Sequence, residues 1–126
     1  SMSRYSATTH SRQTVLSLEA DELTLAVASV AAAGANQGNA TALPAVAIVT
    51  VTAADAAKGV RLPPAVPGRV IILKNVDNAV LKVYPATGGK INVLADNASL
   101  DMAARTATVL FAVSATQWYS LPLLPS

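Results

Sequence analysis

Large apolar residues recur along this chain in short runs, and glycine, proline and asparagine separate the runs. The best defined is Arg69-Val70-Ile71-Ile72-Leu73-Lys74-Asn75, four apolar residues between two cations. The run is too short for a membrane span or a long helix. It is rich in β-branched residues and bounded by turn chemistry, which predicts a strand buried on both faces. Ahead of it lies Leu62-Pro63-Pro64-Ala65-Val66-Pro67-Gly68. Its prolines remove backbone donors and fix φ, so the segment is extended or turning and not helical. The later strands are expected to return and pack against this stretch.

Period-two alternation marks further strands. Leu16 and Leu18 alternate with Ser17 and Glu19, and Leu23, Leu25 and Val27 line one face of a strand at 23–30. Alanine's helix propensity leaves a helix open as the alternative over 19–33. Gly34-Ala35-Asn36-Gln37-Gly38-Asn39 is a break, 40–43 reads as one helical turn stopped by Pro44, and 46–52 is a confident β-branched strand. Val76-Asp77-Asn78 reads as a hairpin turn, after which 79–84 returns with Leu81 and Val83 inward and Val80, Lys82 and Tyr84 outward. A turn at 85–89 leads to short strands at 90–94 and 98–102. The strand at 106–113 has Ala107, Val109, Phe111 and Val113 on one face, and the last, at 117–121, carries the only tryptophan, Trp118, before Pro122 and Pro125. Short strands at spacings of about 8–12 residues with turns between them predict an all-β fold, an antiparallel β-sandwich or barrel. No internal repeat stands out. Residues 1–14 form a flexible N-terminal arm, and 15–126 a single β domain.

Composition adds a reason to expect assembly. Of 126 residues, 52% are hydrophobic and only 13% charged, while aromatics are 4%. Alanine is the commonest residue, and it contributes little burial energy compared with leucine or phenylalanine. A core built this way is thin, and burying one protomer on another supplies what it lacks, so a homo-oligomer is expected. The net charge of +2 comes without a Lys/Arg cluster, which argues against nucleic acid as a partner. There is no cysteine, hence no disulfide or thiolate metal site. No apolar stretch approaches the roughly 18 residues of a membrane helix, and no membrane partner is expected.

Candidate chemistry is sparse. His10 is the only histidine, so neither a three-histidine metal site nor a histidine-based triad in the folded part is expected. Glu19, Asp21 and Glu22 read as a solvated edge, and Asp55, Asp77, Asp96 and Asp101 lie in or beside turns, where aspartate bonds backbone amides. Gly88-Gly89-Lys90 lacks the spacing and following helix of a phosphate loop. No catalytic residue, metal site or cofactor is assigned. Two binding sets remain. Arg4, Tyr5, His10 and Arg12 of the arm either order on a partner or stay loose, and Tyr84, Trp118 and Tyr119 either form a glycan platform or leave Trp118 sealing one end of the core.

One resemblance extends over residues 36–119. It is carried by Gly59-Val60-Arg61-Leu62-Pro63, by Gly68 before the hydrophobic strand ending in Lys74-Asn75, and by Val83-Tyr84-Pro85-Ala86-Thr87-Gly88 with Ile91-Asn92. Phe111 and Gln117-Trp118-Tyr119 complete it. In order and spacing the succession resembles a module of small structural proteins of tailed bacteriophages, of the head-decoration, head-fibre and tail-fibre kind. The resemblance implies a non-enzymatic β-rich protein, often trimeric, attached to the phage particle. The function expected from it is a capsid decoration or fibre-like protein that binds and reinforces the head surface. Its partners would be its own copies and the major capsid protein or another virion protein. Its place would be the virion surface, after synthesis in the host cytoplasm. A tail-fibre or adsorption module is one alternative, and a carbohydrate-binding β-sandwich domain is another.

Overall fold

The computed structural model describes residues 22–121, and every regular element among them is a strand. The chain runs β1 (Val27–Ala31), β2 (Thr41–Ala42), β3 (Ile48–Thr52), β4 (Gly59–Arg61), β5 (Val70–Asn75) and β6 (Leu81–Tyr84). Odd-numbered strands of this set lie side by side in one sheet and even-numbered ones in another, all in parallel. The backbone therefore winds as the stacked coils of a β-solenoid. Val27 sits beside Ile48 (27 to 48, 21 residues) and Ile48 beside Ile72 (48 to 72, 24 residues).

The last four strands close the stack. They are β7 (Lys90–Ile91), β8 (Leu100–Met102), β9 (Ala107–Ala112) and β10 (Gln117–Leu121). β8 pairs antiparallel with β6, β9 with β5 and β10 with β9, while β7 runs parallel to β10. The result is a six-stranded sheet in the order β1-β3-β5-β9-β10-β7 and a four-stranded sheet in the order β2-β4-β6-β8.

The core lies between the sheets. Val49, Val51, Ile71, Leu73, Leu110 and Trp118 come from the larger sheet, and Val60, Leu81, Val83, Leu100 and Met102 from the smaller, joined by Leu62 and Ile91. Trp118 is 0% exposed, so its indole fills the core. Polar side chains that enter this interior are bonded, as buried polar groups must be. Asn75 donates from Nδ2 to the carbonyls of Ala79 (2.7 Å) and Ala103 (3.2 Å), and its Oδ1 accepts from the Asp77 amide at 3.1 Å. Asn92 donates to Ser120 Oγ at 2.8 Å and accepts from the Ser120 amide at 3.0 Å. Asn92 and Asn97 hold positive φ (53° and 68°), which asparagine tolerates better than most residues.

The all-β expectation holds, and no helix occurs among the described residues. The expectation of antiparallel pairing does not. Five of the eight strand pairings are parallel (β1–β3, β3–β5, β2–β4, β4–β6 and β7–β10). The turn at 76–78 explains the error. β5 is already flanked by β3 and β9, so the chain cannot double back beside it, and the Asn75 side chain instead steers it around a corner into the other layer. The coils also differ in length, which hides the repeat from any search at a fixed period. Residues 41–42 are a strand rather than part of a helical turn, and β4 was not foreseen. β1 begins at Val27, later than expected, leaving 22–26 outside the strand, with Leu23 75% and Leu25 50% exposed. β5 is covered on one face only: Ile71, Leu73 and Asn75 are buried, but Val70 is exposed and Ile72 half-buried. The arm at 1–14, with Arg4, Tyr5, His10 and Arg12, lies outside the described residues.

Candidate functional site

The two sheets turn very different faces outward. In the six-stranded sheet the strands alternate, so each residue next to a core side chain points away from it. Val27, Ile48, Ile72, Val109 and Leu121 stand in register across five adjacent strands. Beside them Val70, Phe111 and Tyr119 form a second apolar row, with the two aromatic ring centroids 5.8 Å apart and tilted by 42°. Cross-strand pairs of this kind stabilise a sheet while leaving one side of every ring and methyl group open to solvent. The row on the other side is Ser29, Thr50, Lys74 and Ala107, which holds the only charge among these outward positions. The Lys74 ammonium donates to the carbonyl of Arg105. A shallow concavity of about 260 Å³ lies on this face, lined by Ile72, Ala107, Thr108, Val109 and Leu121. Leu23 and Leu25, at period two from Val27, carry the apolar series past the edge of the sheet.

The four-stranded sheet presents charge and a cover. Gly59, Lys82 and Asp101 form one outward row, and Lys82 Nζ meets Asp101 Oδ1 at 3.2 Å. Tyr84 lies over Gly59, where an added Cβ would come within 2.9 Å of the ring, so the ring can rest there only because position 59 lacks a side chain. Its hydroxyl donates to the Ala35 carbonyl at 3.2 Å. Gln37 Nε2 donates to the Pro85 carbonyl at 2.9 Å, and Arg61 donates to the Gln37 carbonyl at 2.8 Å. These bonds fold the loop at 34–39 onto the sheet. The loop turns at Gly34 (φ 81°), whose Cβ position is 2.1 Å from the Asn39 carbonyl oxygen, and Asn36 and Asn39 cross-bond through their side chains.

The residues singled out from the sequence scatter over these surfaces. Tyr84 is on the outside of the smaller sheet, Trp118 is in the core, and Tyr119 is on the outside of the larger sheet. They form no common platform for a sugar ring. A concavity of about 290 Å³ lined by Pro64, Ala65, Ala86, Thr87, Gly89 and Ala115 does lie above Trp118, but the indole reaches no solvent through its floor. Asp55 and Asp77 accept from the amides of Ala57 (2.7 Å) and Ala54 (3.3 Å), in keeping with turn aspartates. Among the described residues no three of His, Cys, Asp or Glu gather as metal ligands. The apolar rows of the larger sheet were not foreseen as a site. Their signal was present in the run Val70-Ile71-Ile72-Leu73, where both parities of the alternation are apolar although one layer of core takes only one of them.

No family model, no curated protein and no solved structure matches the chain.

Proposed function

We propose that this chain is a non-enzymatic assembly component of a tailed-phage particle, a capsid decoration or fibre-like protein that works as an oligomer and binds the head surface. The observation that carries the assembly part is the outer face of the six-stranded sheet, where two apolar rows span adjacent strands with Lys74 and Lys90 at their margins. A face of that extent on a single chain is a contact surface waiting for its partner. The residue succession over 36–119 supports placing that assembly on a phage particle. Many copies bound at equivalent lattice positions act together, so modest affinity at each site suffices to brace a shell.

Gold labelling of purified virions through this protein tests the reading. Label on heads supports a decoration role, and label on tails favours the adsorption alternative. Particles free of the protein would refute the virion assignment altogether. The glycan reading has no comparable support, because its three aromatic residues occupy three different surfaces.

A further inference from the structure

We infer that the outer face of the six-stranded sheet is where this chain meets a second copy of itself, with Leu23 and Leu25 of each copy completing the contact. The inference rests on the assembly part of the function proposed above and names the partner. Its starting point is β5, whose sequence is that of a strand buried on both faces, while the described residues cover only one. The inner parity packs into the core, and the outer parity, Val70 and Ile72, continues sideways into β9 and β10.

The chemistry of the face selects the partner. Interfaces between proteins that fold apart and meet later are about as apolar as the rest of a protein surface, whereas permanent self-interfaces resemble a core cut in half. Valine, isoleucine, leucine, phenylalanine and tyrosine fill the two rows, and of the two cations on the same face Lys74 is tied to a backbone carbonyl and Lys90 stands at the β7 edge. That is the permanent kind. The two rows carry no charge by which to choose a foreign protein, and the cations on this face, Lys74 and Lys90, stand singly at its margins. The paired charges Lys82 and Asp101 lie on the opposite sheet.

Five strands at about 4.8 Å spacing make the face about 24 Å across. Area bears on the size of the contact. Two rows about 7 Å apart with their margins cover on the order of 300 Å² of sheet, whereas a stable interface takes about 800 Å² from each partner. The sheet face alone falls short, and the exposed Leu23 and Leu25 extend it in the one direction where the apolar series continues.

The experiment is mass measurement by light scattering on the full chain across a dilution series, with two variants. The wild type is expected at a multiple of 12.8 kDa at micromolar concentration. Val109→Lys, within the long row, is expected at the single-chain mass with an unchanged β-type circular dichroism spectrum. Leu23→Ser with Leu25→Ser alters a segment outside any strand, and is expected to raise the concentration of half-dissociation about tenfold or more. A wild type at single-chain mass overturns the inference, as does an oligomer that survives both variants. If Val109→Lys fails to fold, the leucine variant decides, and an unmoved dilution curve overturns the inference. If the wild type is a single chain but associates once residues 2–21 are removed, the face belongs to the chain's own N-terminal residues and the inference is wrong. Virion labelling stays separate from all of these. Self-association through this face by a protein absent from virions would leave the inference standing and remove the phage reading.

Discussion

The four-stranded sheet turns Arg61, Lys82 and Asp101 towards solvent and keeps Tyr84 beneath the loop at 34–39, while the six-stranded sheet turns valine, isoleucine, phenylalanine and tyrosine outward under no described segment. Both are products of the same winding, one strand per sheet per coil. What differs is where the chain put its longest early connection. Between β1 and β2 it made a glycine- and asparagine-rich loop that folds over the smaller sheet, and among the described residues nothing equivalent covers the larger one. A coil needs only its inner parity of residues to fold. The outer parity is free to serve contacts, and here it is spent in two ways: on the smaller sheet to hold a cover, on the larger to present one continuous apolar surface. On the proposed reading the covered face serves the single chain's stability and the bare face serves association.

The comparison is sharpest where it can be broken by one substitution. Tyr84→Ala removes the ring that lies over Gly59 and the hydroxyl bond to Ala35. Large-to-small changes at buried aromatic positions cost about 3–5 kcal/mol. The expected loss here is near about 3 kcal/mol, read by urea denaturation, because the ring is covered by a loop rather than by core. A loss below about 1 kcal/mol would mean that the cover contributes little and that the two faces differ less than argued. Asn75→Ala comes next, at about 2 kcal/mol. It leaves the Ala79 carbonyl and the Asp77 amide without their partner at the corner that sends the chain between layers, while the Ala103 carbonyl keeps its bonds from Thr106, a loss within the range for removing a buried hydrogen-bond partner. Hydrogen exchange should then quicken around 76–79 and 103–106 before it does in β3.

The strands were legible in the sequence, and the winding was not. Alternation and β-branching located β3, β5, β9 and β10 to within two residues, and the inward choice of Leu81 and Val83 over Lys82 was correct. Those features depend on side chains a few positions apart. Whether Val76-Asp77-Asn78 is a hairpin or a corner depends on which strands already flank β5, and those come from 48–52 and 107–112. The same applies to the aromatics. Tyr84, Trp118 and Tyr119 looked alike as candidates, but the parity of each in its strand and the layer that strand joins put them on three surfaces. The apolar face was half legible: four large apolar residues in succession at 70–73 foretold burial on both sides, and only the architecture showed that the described residues leave one side open.

On the bare face, the expected effect on the single chain is small. Ile72→Thr keeps β-branching and changes a position that is half-buried. Well below the concentration of association it should shift stability by no more than about 0.5 kcal/mol. At high concentration the same variant should lose the rise of melting temperature with protein concentration that association confers on the wild type. A loss of about 2 kcal/mol in dilute solution would instead make Ile72 part of the chain's own core, and the contrast between the faces would fail.

The smallest expected effect concerns the charges of the covered sheet. Lys82 and Asp101 stand directly opposite on β6 and β8, with Nζ 3.2 Å from Oδ1, in a geometry that invites an account of the sheet in terms of ion pairing. Exposure argues against it. The Asp101 side chain is 60% and that of Lys82 31% accessible, and pairs in such positions contribute about 0.2–1 kcal/mol, with part of that screened by salt. Asp101→Asn retains the shape and removes the charge, so the expected cost is about 0.5 kcal/mol or less at low salt, falling further at 1 M sodium chloride. Lys82→Met should behave alike, since the stem packs the same way without the ammonium. If either variant cost as much as Tyr84→Ala, or if the cost persisted in high salt, the smaller sheet would be held by its charged row rather than by the loop that lies on Tyr84. The two faces would then differ in polarity alone and not in what each contributes to the fold.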